Sequence, residues 1–200
     1  MKLRWWLIFD QTIQQINALL SQIDEQTLEF ARATGLKCKE GCGTCCSFPD
    51  IETTVAEVLP LAQYLWDQGK ADEVLAAMQA DPTQKICHFY KPNPYFPSQG
   101  RCSIYAYRPG FCRLFGYSAR RDKYDKLQLA TCKIIKNNLP EACQNAQQHM
   151  DQGLPVPIVS AHLMNISNID PIHGQKLLPI NQAIQTAIEL VGFAWEKNQQ

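Results

Sequence analysis

Four cysteines fall within nine positions of this chain: Cys38, Cys42, Cys45 and Cys46, in the pattern C-x3-C-x2-C-C. Thiols that crowded serve no ordinary core purpose. As thiolates they repel one another until a cation gathers them, and a metal ion does this while fixing the loop that carries them. Gly41 and Gly43 allow the tight backbone path this requires. Cys87, Cys102, Cys112 and Cys132 make a second set of four. Zinc takes four ligands, and a cubane iron–sulfur cluster also takes four thiolates. Eight cysteines therefore match two four-ligand sites, or one cluster with thiols in reserve. Side chains of adjacent residues in extended chain point to opposite sides, so Cys45 and Cys46 suit sharing between two centres. On that reading each centre mixes ligands from the loop and from the later segment. Cys143, the ninth, follows Pro140 among Leu139, Ala142 and Ala146 and is expected as a buried structural thiol.

Other residues nearby can do chemistry. Arg108 and Arg113 flank Cys112. As cofactor-binding residues their guanidinium groups would reach the sulfurs or an anionic ligand; otherwise they pair with an acidic residue on a helix. His88 follows Cys87 and could replace a thiolate, whereas His149, His162 and His173 have no ligand spacing and are expected as ordinary satisfied histidines. Tyr90, Tyr95, Phe96, Tyr105 and Tyr107 are expected to shield the metal region from water. Asp24-Glu25 and Asp72-Glu73 are expected on solvated helix faces. The C-x3-C-x2-C spacing also occurs in radical S-adenosylmethionine enzymes, but there it follows a barrel strand, and Thr44 stands where an aromatic is usual. A thioredoxin-like role for Cys42 and Cys45 lacks its βαβ surroundings. There is no nucleotide-binding glycine loop, hydrolase elbow or zincin motif, so no catalytic residue is assigned and the reading leans against an enzyme.

The elements that must position these residues follow from composition and pattern. At 46% hydrophobic and 19% charged, 200 residues can bury a sizeable core without disulfides. Zero formal net charge offers no field for phosphate backbones, so no nucleic acid is expected as a partner. Cysteine density without a secretory signal points to a reducing, cytoplasmic setting. The apolar run at Trp5–Phe9 is too short to span a bilayer, though Lys2, Arg4, Trp5 and Trp6 would suit peripheral membrane contact or packing on the domain. Ile13, Ile16, Leu20, Ile23 and Phe30 recur at helical spacing, predicting a helix from Trp5 or Asp10 to Thr34, stopped by Gly35. A capping box at Thr54–Glu57 opens a second helix, in which Pro60 should introduce a kink or shift the start. A third helix is expected over Ala71–Ala80, and short hairpin strands near His88–Tyr90 and Arg101–Tyr105. Further helices are expected over Asp125–Asn138, from Glu141 to Gln152, and from Asn181 to Lys197. The fold class is mainly α: a small helical domain with an irregular, metal-stabilised cysteine-rich core. The expected divisions are an N-terminal helix at 1–35, a cysteine-cluster metal-binding domain at 36–133 and a C-terminal helical extension at 134–200.

KCKEGCGTCC at 37–46, CHFY at 87–90 and GRCSIYAYRPGFCRLFG at 100–116 together resemble the YkgJ-type cysteine-cluster family, described as zinc- or iron-chelating. The resemblance spans about residues 36–133. It implies Cys38, Cys42, Cys45, Cys46, Cys87, Cys102 and Cys112 as the chelating set, with Cys132 added, and Tyr105, Arg108-Pro109 and Cys112-Arg113 as a signature block. The expected function is binding of zinc or iron, with a structural or metal-handling role. The alternatives are an iron–sulfur redox or electron-transfer protein or enzyme, and an assembly factor meeting a protein partner through its N-terminal helix or C-terminal tail.

Overall fold

The apolar stripe of the first helix sets the frame. In the computed structural model, which describes residues 2–39, 41–96 and 99–199, with side chains described between 9 and 196, helix α1 runs over Lys2–Thr34. Phe9, Ile13, Ile16, Leu20, Ile23 and Phe30 are buried along one face, as their three- and four-residue steps require. Gly35, at φ +80°, turns the chain out of the helix. The helix starts earlier than the pattern suggested, and the side chains of Lys2, Arg4, Trp5 and Trp6 lie outside the described residues.

Helix α2, Val55–Asp67, opens with the expected capping box: the Glu57 amide donates to Thr54 Oγ1 at 3.3 Å, and the Glu57 carboxylate accepts from the Thr54 amide at 3.1 Å. Pro60 lies inside this helix rather than at its start. α2 is buried from Val55 through Ala62, so it has no solvated face there and reads as a continuous apolar run. It packs between α1 and a C-terminal helix, Ile180–Gln199, with α3, Ala71–Ala80, alongside. A short strand before α2, β1 (Glu52–Thr54), pairs antiparallel with a strand before the C-terminal helix, Leu177–Pro179. This ties the starts of the two central helices together.

The connecting region holds two hairpins. β2 (Tyr90–Pro92) pairs with β3 (Gly100–Cys102), about two residues from the expected positions. Helix α4, Gly110–Leu114, follows, and then β4 (Ser118–Arg121) pairs with β5 (Leu127–Ala130). The second hairpin overturns the helix expected over Asp125–Asn138, of which only α5, Lys133–Asn138, forms. The cause is local. Asp122 Oδ1 accepts from the amides of Tyr124 and Lys126, and Asp125 adopts φ +63°, an Asx-type turn that outcompetes a weak helical pattern. Helix α6, Pro140–Asp151, starts on its proline. Helix α7, Val159–Ile169, which none of the expected helices covers, lies between Pro157 and Pro171; β6 (Leu177–Pro179) and α8 (Ile180–Gln199) complete the chain. The fold is mainly α. Phe30, Leu36, Ile135, Ala142 and Ala146 form a second, smaller core beside the main one. No helix among the described residues is long and apolar enough to cross a membrane.

Candidate metal centre

The cysteine loop leaves α1 at Gly35 and is anchored at its start. Leu36 is buried in the smaller core, and the Cys38 amide donates to the Tyr117 hydroxyl at 2.6 Å. Past Gly41 the loop makes one 3-10 turn, Thr44–Ser47, closed by the Cys46 and Ser47 amides on the Gly43 carbonyl at 2.9 and 3.2 Å. Here Gly43 sits against Gly100 of β3, and a Cβ on Gly43 would lie 2.5 Å from the Gly100 carbonyl carbon. The loop therefore docks backbone to backbone on the strand that ends in Cys102. Cys45 and Cys46 place their sulfurs 3.9 Å apart, and the Cys42 sulfur lies 3.4 Å from Thr44 Oγ1.

The remaining thiols arrive from separate segments. Cys87 is buried just before β2, Cys102 closes β3, Cys112 sits in α4, and Cys132 caps α5 by accepting from the Ile135 amide at 3.4 Å. Their charges act on one another. Burial raises the Cys112 thiol far above its ordinary value, with Cys87, Cys45 and Cys102 adding to the rise. Burial also lifts Cys87 to about 11, helped by Cys102, and raises Cys102. Cys38 rises to about 11 through burial and then through Cys42, Cys45 and Cys132. Hydrogen bonding between Cys45 and Cys46 lowers one thiol of the pair and raises the other. The couplings form two overlapping groups. Cys46, Cys87, Cys102 and Cys112 make one and Cys38, Cys42 and Cys132 the other, with Cys45 common to both.

Among the described residues no group of three or more His, Cys, Asp or Glu side chains stands arranged to hold an ion as placed. The chemistry of the donor set nevertheless fits zinc or iron: soft sulfur donors, with Cys38, Cys87, Cys102 and Cys112 raised by burial and by neighbouring thiols, that a cation would relieve. All nine cysteines are free. Cys143 is half-buried rather than buried, and its thiol is raised by burial and by Cys132.

The two arginines differ. Arg113 donates through Nη1 to Asp24 of α1, through Nε to the Arg108 carbonyl at 2.7 Å and through Nη2 to the Ala106 carbonyl at 2.6 Å. Arg108 stacks on the Tyr105 ring, 3.6 Å from its centre, donates through Nε to the Tyr105 carbonyl, and lies 3.7 Å from Asp24. Its charge also lowers Cys45, Cys102 and Cys112. Asp24 is therefore a partner of both arginines, not a residue of a solvated face. The aromatic shield is smaller than expected. The Tyr90 ring covers Gly100 and Tyr107 stacks on Tyr64, whereas Tyr95, Phe96 and Tyr105 are exposed. The His88 ring packs edge-on against Phe89. His149 meets the Pro155 carbonyl, His173 meets Asp170 and His162 meets Glu57. Sequence reasoning did not find Asp24, Tyr117 and the Glu57–His162 contact. Only Glu57 carried a local signal, its place in the capping box.

Residues 37–156 match a family described as CxxCxxCC, "putative zinc- or iron-chelating domain". No curated protein and no solved structure matches the chain.

Proposed function

The chain belongs to the CxxCxxCC family of zinc- or iron-chelating domains, and we propose that it binds its metal through Cys38, Cys42, Cys45, Cys46, Cys87, Cys102, Cys112 and Cys132, to order the fold or to handle the metal. One observation carries this reading: Gly43 docks on Gly100, which sets the loop carrying Cys45 and Cys46, their sulfurs 3.9 Å apart, against the strand that ends in Cys102. Burying several thiolates near one another is costly unless a cation accompanies them. A cation bound there offsets both the burial and the repulsion that raise these thiols, and binding releases their protons. Cys45 and Cys46, adjacent in the chain with sulfurs 3.9 Å apart, suit a bridge between two centres. Arg108 supplies a fixed counter-charge to a site that would otherwise be strongly negative. Such a thiol set suits a reducing compartment such as the cytoplasm.

Anaerobic purification followed by metal and sulfide analysis tests the reading. The expected result is about one to two zinc per chain, or about four iron with matching sulfide. The iron result would favour a redox role; colourless zinc protein would favour a structural or metal-handling one. Cys42→Ser and Cys45→Ser should each lower metal content and melting temperature together. A chain that holds neither metal and loses no stability on either substitution would refute the proposal.

A further inference from the structure

Glu57 does more than cap a helix. Its carboxylate is 1% exposed and accepts five hydrogen bonds. One oxygen takes the Thr53 and Thr54 hydroxyls and the Thr54 amide, at 2.9 to 3.1 Å. The capping box requires no more than this oxygen. The second oxygen faces away from the cap. It accepts the Gly110 amide at 2.9 Å and lies 2.8 Å from His162 Nε2, on α7. Burial alone would push the Glu57 carboxyl up; the His162 contact and the Thr54 and Thr53 bonds outweigh it and hold the carboxyl below its ordinary value. His162 is 5% exposed.

Gly110 opens α4, two residues before Cys112. A Cβ on Gly110 would lie 2.0 Å from His162 Nε2 and 2.7 Å from the Glu57 carboxylate. The turn therefore presses directly onto the pair, and only glycine fits there. From the other side, Arg113 holds the same turn to Asp24 and to the carbonyls of Ala106 and Arg108. Held this way, Cys112 packs against the main core, to which Cys87 belongs.

We propose that Glu57 and His162 are positioning residues for Cys112: the pair fixes the Pro109–Gly110 turn so that this thiol faces its partners before an ion arrives. The proposal rests on the metal-binding reading above. A buried hydrogen-bonded pair is weak as a source of stability and strong as a means of fixing register, and groups behind a metal ligand set its orientation. The pair touches no sulfur and acts only through the turn it holds.

The test uses zinc-loaded full-length protein and the rate at which the chelating dye 4-(2-pyridylazo)resorcinol removes zinc. Glu57→Gln and His162→Gln should each release zinc about tenfold faster than wild type or more. Gly110→Ala, which moves the turn without changing a charge, should do the same. The deciding measurement repeats the Glu57 and His162 substitutions in a Cys112→Ser background. There the added change should be under about twofold, because the route to the ion is already cut. Glu57→Gln keeps the Thr54 contacts of the cap and carries the test alone if His162→Gln fails to fold. Wild-type release rates in Glu57→Gln, or the same acceleration with and without Cys112, would overturn the assignment and leave the metal-binding reading standing. A wild-type chain that takes up no zinc or iron would overturn both.

Discussion

The cysteine loop at 37–49 and the turn-and-helix segment at 102–114 carry ligand candidates of the same kind, and the protein holds them in opposite ways. The later segment is fixed by charge and hydrogen bonds from three helices: Asp24 of α1, Glu57 of α2 and His162 of α7 all converge on it or its brace. The loop has one 3-10 turn, one amide on the Tyr117 hydroxyl and a backbone contact between Gly43 and Gly100. No residue of its 3-10 turn is buried. Protein contacts thus preorganise one half of the centre, while the other half has few contacts beyond the ion it would bind. The same division separates the entropic cost of ordering the loop from the enthalpic rigidity of the arm.

Metal removal should break the comparison most visibly. On stripping the metal under reducing conditions, the amides of residues 42–47 should lose hydrogen-exchange protection by more than about tenfold. Those of residues 110–115 should change by less than about threefold. Equal loss in the two segments would mean that the ion, not Glu57 and Arg113, holds the arm. Undiminished protection in the loop would mean that its docking on β3 suffices without metal.

A smaller effect sharpens the other side. Arg113→Gln removes a guanidinium whose side chain is 7% exposed, together with its contacts to Asp24, Ala106 and Arg108. Asp24 is 46% exposed, so the ion pair itself is partly screened. The hydrogen bonds from the buried guanidinium to the Ala106 and Arg108 carbonyls dominate, and the loss should be about 2 kcal/mol. For a chain of this size that corresponds to about 4–8 °C in melting temperature. The decrease should be similar in metal-free and metal-loaded protein. A decrease confined to the loaded form would place Arg113 in the centre rather than behind it.

The legible parts of this molecule are those whose causes are local. The α1 stripe from Ile13 to Phe30, the Thr54–Glu57 cap and the limits of α3 are all written within one or two turns of chain. So is the crowding of Cys38 to Cys46, because residue type and spacing alone define it. What failed depends on distant partners. Asp125–Asn138 carries a helical pattern, yet β4 and the turn at Asp122 claim its first half. No helix is expected between Gln152 and Asn181, yet α7 forms there, bracketed by Pro157 and Pro171. Asp24 looked like one charge of a solvated face because its arginines lie 84 and 89 positions away. Glu57 and His162 are 105 residues apart, and neither alone suggests the other.

The smallest expected effect concerns acid. Glu57 is held below the ordinary carboxylate range: burial opposes this, and the His162 contact with the Thr54 and Thr53 bonds overcomes it. A group whose folded value lies below its unfolded value, about 4.3 for glutamate, contributes its full stability above the unfolded value. It loses that contribution as pH falls toward the folded one. The share of the stability difference between wild type and Glu57→Gln that comes from the Glu57 carboxylate should therefore shrink steadily as pH falls below about 4.5. Denaturation midpoints of the two metal-free proteins between about pH 5 and pH 3 give the curve, and acid effects on groups that do not touch Glu57 cancel in the subtraction. A difference that stays flat down to pH 3 would show that the carboxylate form of Glu57 does not brace the arm. The contrast between a preorganised half and an ion-dependent half would then have to rest on Arg113 alone.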